Sequence, residues 1–386
     1  MKSTVTAPAA PAVQGRTQRY FALDVLRGMT IALMVVVNNP GSWGHIYAPF
    51  EHAAWNGFTP TDLVFPTFLF VIGNAMSFSL RKYEEKAESA FLRKVFKRSL
   101  LIFFIGLFLN AFPFVYRDGG ELVLKDLSQV RIMGVLQRIA LCYLFGSLII
   151  HYLKLKKALI LGGMILLGYW FIMWFFGTHP DPYSLQHNAS LKFDLLFLPK
   201  ANLWKGFGMP FDPEGLLSTI PAIVNVIAGY AAGVFIQKSG NRMNTVMKLA
   251  IFGLALLILA RIWDIYFPIN KGIWTSSFVL YSSGWDLLLL GVLILVIEIF
   301  GFKKWTYFFE AFGKNPLFIF IMSGVVVMLM SIIWVDGGSL KPWIYQNFYL
   351  SWLTGKNASL AYAISFMLLM WLLGFWLDKK KIYIKV

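Results

Sequence analysis

The feature that most constrains this chain is a succession of apolar runs about twenty residues long. They are too long for buried strands and too evenly apolar for the surface helices of a soluble domain. A helix of about 20 residues crosses the hydrocarbon core of a bilayer, and ten such runs can be marked, at 21–39, 61–80, 99–116, 132–152, 158–177, 216–236, 249–267, 277–300, 314–335 and 359–377. Lipid offers no hydrogen-bond partner to the backbone, so runs of this kind fold as helices. The expected fold is therefore all-α, a polytopic helical bundle with about ten transmembrane helices. Of the 386 residues only 14% are charged and 58% are hydrophobic, where an ordinary soluble domain has about 25% charged. A soluble enzyme and a nucleic-acid binder are excluded on that ground, and the net charge of +16 becomes a statement about topology.

Lys and Arg collect in cytoplasmic loops. With both termini placed in the cytoplasm, the inside segments hold 22 basic residues and the outside loops 9; the opposite orientation inverts the rule. Residues 1–19 contain no apolar core and read as a short disordered cytoplasmic arm, leaving 20–386 as a single transmembrane domain. The single cysteine, Cys142, can build neither a disulfide nor a thiolate metal site. No His-x-x-x-His, paired acids at helical spacing or Gly-rich phosphate loop is present, so no metal is expected.

Ionisable residues within the apolar runs are the candidates for function, because charge in a bilayer is costly. Asp24 and Arg27 sit three apart near the inner end of the first run, as an intrahelical ion pair or as ligands. Arg131, Gly134 and Arg138 follow i, i+3, i+7 spacing in the fourth. The two guanidiniums on that strip call for anions: carboxylates such as Asp24 or Asp286, or the phosphates of a ligand. The first outer loop carries Asn38-Asn39-Pro40-Gly41, then His52-Ala53-Ala54-Trp55-Asn56-Gly57, then Asp62. His52 has Asn and Asp neighbours within a dozen residues, as an orienting partner for a base requires, though a solvated histidine is the commoner case. Asp212 followed by Pro213 reads as a helix start, which leaves Glu214 less well explained. Asn270-Lys271 with Trp274 lies between the seventh and eighth runs, and an exposed tryptophan beside amides suits a sugar face or an interfacial belt equally.

As a set these segments resemble a known family. Leu23-Asp24-Val25-Leu26-Arg27-Gly28-Met29, Val37-Asn38, His52 through Thr59 and Asp62-Leu63-Val64-Phe65-Pro66 resemble the heparan-α-glucosaminide N-acetyltransferases. So do Arg131-Ile132, Gly134 through Arg138, Asp212 through Leu217, and Asn270-Lys271 with Trp274. The motifs fall in the family's order from about Tyr20 to Pro316. The resemblance implies a bacterial relative without the animal enzyme's lumenal N-terminal domain, of the kind found with N-acetylglucosamine utilisation, in the inner membrane. It implies an acyltransferase that moves an acetyl group from cytosolic acetyl-CoA to the amine of a glucosamine-type sugar at the outer, periplasmic face. By resemblance His52 matches the catalytic histidine and Asn38 an active-site asparagine. Arg27, Arg98, Arg131 and Arg138 are the candidates for the coenzyme A phosphates, and Asp62, Glu214, Asn270, Lys271 and Trp274 those for the acceptor. His52 serves either as a direct base or as an acetyl carrier in a ping-pong relay. The expected partners are acetyl-CoA, an amino sugar, the lipid bilayer and a second copy in a homodimer. An amino-sugar transporter is the competing reading, since polar sites amid broken helices also suit transport.

Overall fold

The computed structural model describes residues 20–83 and 87–384; the expected arm at 1–19 lies outside them. Among the described residues twelve α-helices follow one another: α1 Phe21–Asn38, α2 Pro60–Ser79, α3 Glu88–Ala111, α4 Val135–Phe176, α5 Ala189–Phe197, α6 Leu216–Ser239, α7 Met243–Asp264, α8 Ser276–Leu293, α9 Thr306–Lys314, α10 Pro316–Ile332, α11 Leu340–Ile344 and α12 Gly355–Lys379. Two small antiparallel hairpins interrupt them, β1 Val115–Asp118 with β2 Glu121–Leu124, and β3 Trp334–Val335 with β4 Gly338–Ser339. The protein is an all-α polytopic membrane bundle.

Seven of the described helices are long and apolar enough to cross a membrane, or up to eight if a bent pair counts as one span. The expected number is ten; with the bent pair counted as the eighth span, two segments account for the difference. The 42-residue α4 counts once, yet Lys154 at φ 58°, ψ 170° breaks it where the apolar runs at 132–152 and 158–177 were separated. In α3 the basic residues Arg93, Lys94, Lys97 and Arg98 leave no window of sufficient apolarity, although its second half matches the run at 99–116. That run ends early, because α3 stops at Ala111 and Val115 and Tyr116 belong to the first hairpin. The bent pair is α9 and α10, which meet at 82° across Asn315. Asn315 is buried, and its side chain bonds Ile382 O at 3.0 Å and Ile384 N at 2.8 Å, so the break is pinned by the C-terminal segment.

Helices without a hydrophobic drive between them associate by close backbone approach at small residues. The crossing of α2 on α6 works in this way. A methyl group at Gly73 would stand 1.9 Å from Val226 O, and one at Gly229 1.9 Å from Phe70 O. The two glycines lock the helices reciprocally, and α2 becomes the spine of the bundle. Its Pro60 end meets the loop at 40–59 on what is called here the upper face; its Ser79 end reaches the basic lower face, about 30 Å away at 1.5 Å per residue.

Candidate active site

Thr59 caps α2, accepting a hydrogen bond from the Asp62 backbone while Asp62 Oδ2 accepts from Thr59 N at 3.0 Å. The same oxygen accepts from Ala53 N at 3.1 Å. A helix-start box thus folds the loop at 52–59 back over Asp62, which is 1% exposed. The other carboxylate oxygen, Oδ1, lies 2.6 Å from His52 Nδ1. A carboxylate only accepts, so Nδ1 carries the proton and Nε2 is left with a lone pair. His52 itself is half exposed, at 48% of its side chain, so the free nitrogen is reachable by a substrate. An imidazole held in one tautomer by a buried carboxylate is the arrangement of a general base with its orienter.

Lys271 completes the cluster, with Nζ 3.1 Å from His52 Nδ1 and 3.6 Å from Asp62 Oδ1. Because Nδ1 donates to Asp62, the ammonium and the imidazole share this carboxylate and do not bond each other. Burial pulls the Lys271 ammonium below the usual lysine range, and the nearby Asp62 and Glu214 charges offset part of that. Its loop is docked onto the first one: Gly57 N donates to Ile269 O at 2.8 Å, and Asn270 Nδ2 donates to Asn56 Oδ1 at 3.0 Å. Asn270 Oδ1 is taken by Ile273 N at 3.0 Å. Asn270 is thus a buried strut between two loops, where sequence reasoning expected a sugar ligand.

Trp274 corrects a second expectation. It is fully buried, at φ 49°, with Nε1 donating to Asn225 Oδ1 at 3.0 Å and its ring edge-on to Phe65 and Phe278. No sugar can reach its face, which is covered by the Arg138 guanidinium 4.8 Å from the ring centroid. The loop at 270–275 reverses so sharply that Lys271 reaches the site while Trp274, three residues on, enters the core.

The two arginines do not share a helical strip, because α4 starts at Val135 and Arg131 precedes it. Nor are their anions Asp24 and Asp286. Arg131 pairs with Asp212 through Nε–Oδ2 at 2.8 Å and Nη2–Oδ1 at 2.6 Å, and with Glu214 Oε2 at 2.5 Å. Burial opposes the Arg131 charge, but the bonds to Asp212 and the charges of both acids outweigh it and hold it above the usual arginine range. Asp212 is therefore the partner of Arg131 and not the helix cap its Asp-Pro pattern predicted; α6 begins later, at Leu216. Arg138, fully buried, donates through Nη2 to Gly215 O at 3.2 Å and to Ser218 Oγ, while its Nε and Nη1 have no partner.

The cap of α6 is a residue that sequence reasoning missed. Asp194 on α5 accepts from Leu216 N at 3.0 Å and Leu217 N at 3.1 Å through Oδ1. A tertiary cap has no local signature, since donor and acceptor are more than twenty residues apart. Burial pushes this carboxyl up to about 7, against the bond from Leu217 N and the Arg138 charge, which lower it. A folded-state value above the unfolded one means that the proton stabilises the fold. The contribution is full below about pH 4 and is lost as pH rises towards 7. Asp194→Asn should flatten this dependence: the melting temperature of the wild type should fall between pH 4.5 and 7.5, and that of the variant should not.

Arg27 and Arg98 lie far from these groups, at the lower end of the bundle, and the structure brings them together. Both line a cavity of about 830 Å³, including its open mouth, with Phe68, Ile139, Tyr143 and Pro316 among its walls. Arg27 also bonds Asp24 Oδ1 and Gly313 O, each at 3.4 Å. Arg98 covers the Tyr143 ring at 4.6 Å and leaves its Nε without a partner. The cavity climbs from Ser79 at the lower end of α2 to Phe68, and on α4 it reaches Ile139, five residues into the helix from its upper end. Asn38 stands exposed at the upper end of α1, and no hydrogen bond joins it to His52 among the described residues.

The stretch of chain that carries His52, Asp62 and the arginines is similar to known proteins. The profile of the catalytic region of heparan-alpha-glucosaminide N-acetyltransferase matches residues 19–262. The chain belongs to this family. It is 26% identical over 400 residues to the human heparan-alpha-glucosaminide N-acetyltransferase, covering 88% of this chain and 58% of the human one. With the mouse protein of the same name it is 26% identical over 386 residues, covering 85% and 57%. The chain thus spans a little under three fifths of the length of these relatives. The profile match takes in His52, Asp62, Arg131 and Arg138 and ends ahead of Lys271.

Proposed function

We propose that the protein transfers an acetyl group from acetyl-CoA, entering at the lower, cytoplasmic face, to the amine of a glucosamine-type sugar bound at the upper, outer face. The observation that carries this reading is the His52–Asp62 pair, at 2.6 Å, in a chain whose relatives are named N-acetyltransferases. A neutral amine attacks the thioester carbonyl, and Nε2 of His52 takes the amine proton as the C–N bond forms. Direct transfer needs only this one lone pair, and an acetyl-imidazole on the same nitrogen is the ping-pong variant. Asn38 is the proposed donor to the carbonyl oxygen as charge builds there.

The lower cavity fits the donor. Coenzyme A has a polyanionic head and a thin apolar arm, and here two arginines flank an otherwise largely apolar channel. Arg27 and Arg98 are assigned to the phosphates. Arg131 is left out of that role because two carboxylates already occupy it, and Arg138 because it is closed over by Trp274, Gly215 and Ser218. Of the acceptor candidates, Asp62 is engaged as the partner of His52 and not left free for a sugar, Lys271 reaches the same cluster with its side chain, and Glu214 acts on Lys271 through charge.

Purified protein given acetyl-CoA and glucosamine should release one free thiol per amide formed. Amide formation at the rate of the uncatalysed reaction would refute the assignment. Sidedness has its own check. Cys142 is buried and should give no background labelling, so a cysteine at exposed Ala54 should react with an impermeant maleimide applied from outside, and one at exposed Ala87 should not. Reaction at Ala87→Cys from outside would reverse the orientation.

A further inference from the structure

The lower cavity carries a polar group that the assignments above leave unused. Its walls are apolar except for Arg27, Arg98, Ser79 and Tyr143. Ser79 closes α2 at the lower end, whereas Tyr143 lies one turn of α4 below Ile139, the α4 wall residue nearest the upper end. Tyr143 is 2% exposed and belongs to the packed core, with the Arg98 guanidinium over its ring at 4.6 Å. Its hydroxyl makes no hydrogen bond with any described residue. Yet it is not one of the sealed, unpartnered atoms as Arg98 Nε is, so it opens onto the cavity that Tyr143 lines.

A phenol hydroxyl donates one hydrogen bond and also accepts, and leaving it unpaired at this depth is costly. Its surroundings limit what can pair with it. The two arginines already supply the charge, and Tyr143 adds a neutral donor and acceptor beside them. A thioester arm running from the arginines towards His52 passes Tyr143 before it reaches Ile139. That arm is apolar except for its amides and a hydroxyl, and an amide drawn into an apolar channel loses its hydration unless a protein group replaces it. The free phenol and the bare amide satisfy each other.

We propose that Tyr143 determines donor specificity, its hydroxyl hydrogen-bonding an amide of the pantetheine arm, an inference that rests on the acetyltransferase reading above. The cavity then selects thioesters carried on an amide-bearing arm over simple acyl thioesters. Arg27 and Arg98 hold the head of the donor, and Tyr143 holds its arm. No bond is made or broken at Tyr143. Its loss belongs in the Michaelis constant for the donor and leaves turnover unchanged.

The test compares three donors: acetyl-CoA, S-acetylpantetheine, which keeps the arm without phosphates, and ethyl thioacetate, which has neither. Tyr143→Phe removes the hydroxyl and leaves a ring under Arg98, so the cation–π contact survives. It should raise the Michaelis constant about 3- to 10-fold for the first two donors, the effect of one neutral hydrogen bond, and leave transfer from ethyl thioacetate unchanged. Arg98→Gln should raise it for acetyl-CoA alone. Unchanged constants in Tyr143→Phe, or an equal loss with all three donors, would overturn the role. A rise confined to acetyl-CoA would put the hydroxyl on the phosphates and overturn it as well. Melting reads binding independently of transfer. Without ligand Tyr143→Phe should melt no lower than wild type, because its hydroxyl has no partner to lose, while the rise in melting temperature on adding coenzyme A should shrink. A lower melting temperature without ligand and an undiminished rise with it would make Tyr143 structural. Absence of transfer from every donor by wild type, with the coenzyme A shift present and reduced in the variant, would count against the acetyltransferase reading and leave the Tyr143 contact standing.

Discussion

His52→Ala protein is expected to bind acetyl-CoA as the wild type does and to lose about two to four orders of magnitude in turnover, the contribution of a positioned base. Asp62→Asn should come close to the same loss for a reason specific to this site. The backbone N–H groups of Ala53 and Thr59 both point at one Asp62 oxygen, so an asparagine must turn its carbonyl to them and its NH2 to His52. The imidazole then accepts at Nδ1 and carries its proton on Nε2, the nitrogen that has to be free. The tautomer is wrong although every atom is in place. Turnover within about threefold of wild type in either variant would remove the pair from the chemistry.

The second large effect concerns the opposite face. Arg98→Gln should raise the Michaelis constant for acetyl-CoA by about 10- to 100-fold, the loss of one hydrogen bond to a charged group, and leave that for the amine unchanged. The Arg98 side chain has an unpartnered Nε and stacks on Tyr143, so it has no carboxylate to strand when removed. Dependence on acetyl-CoA and amine changing together would mean that the substitution disturbs the bundle and not a phosphate site.

The helices were legible because the bilayer demands long apolar runs, and that demand acts residue by residue. Their limits were less so. Lys154 breaks α4 at a place where the lysines mark a loop, but α3 hides its lower half behind four basic residues. In the site, sequence reasoning offered His52 an orienter on either side and placed Asp62 among the acceptor ligands; the pairing appears only once the Thr59–Asp62 cap folds the loop back over Asp62. The role of Lys271 depends on a loop docked through Gly57 and Asn56, more than two hundred residues away in the chain. Trp274 was misread for a physical reason: tryptophan near a membrane face is ordinarily interfacial, and nothing local announces that Asn225 satisfies its N–H inside the core. Asp194 has the same character. It is a buried carboxyl whose partners come from another helix, so its meaning exists only in three dimensions.

The most direct test of the central claim uses sealed vesicles carrying the protein in one orientation, with its lower face inward. Acetyl-CoA labelled in its acetyl group is enclosed inside, and glucosamine is supplied only outside. Labelled N-acetylglucosamine should accumulate in the outer medium while free coenzyme A thiol appears within the vesicles, and the His52→Ala protein should produce neither. Unlabelled amino sugar accumulating inside, with the thioester intact, would contradict the account and identify a transporter.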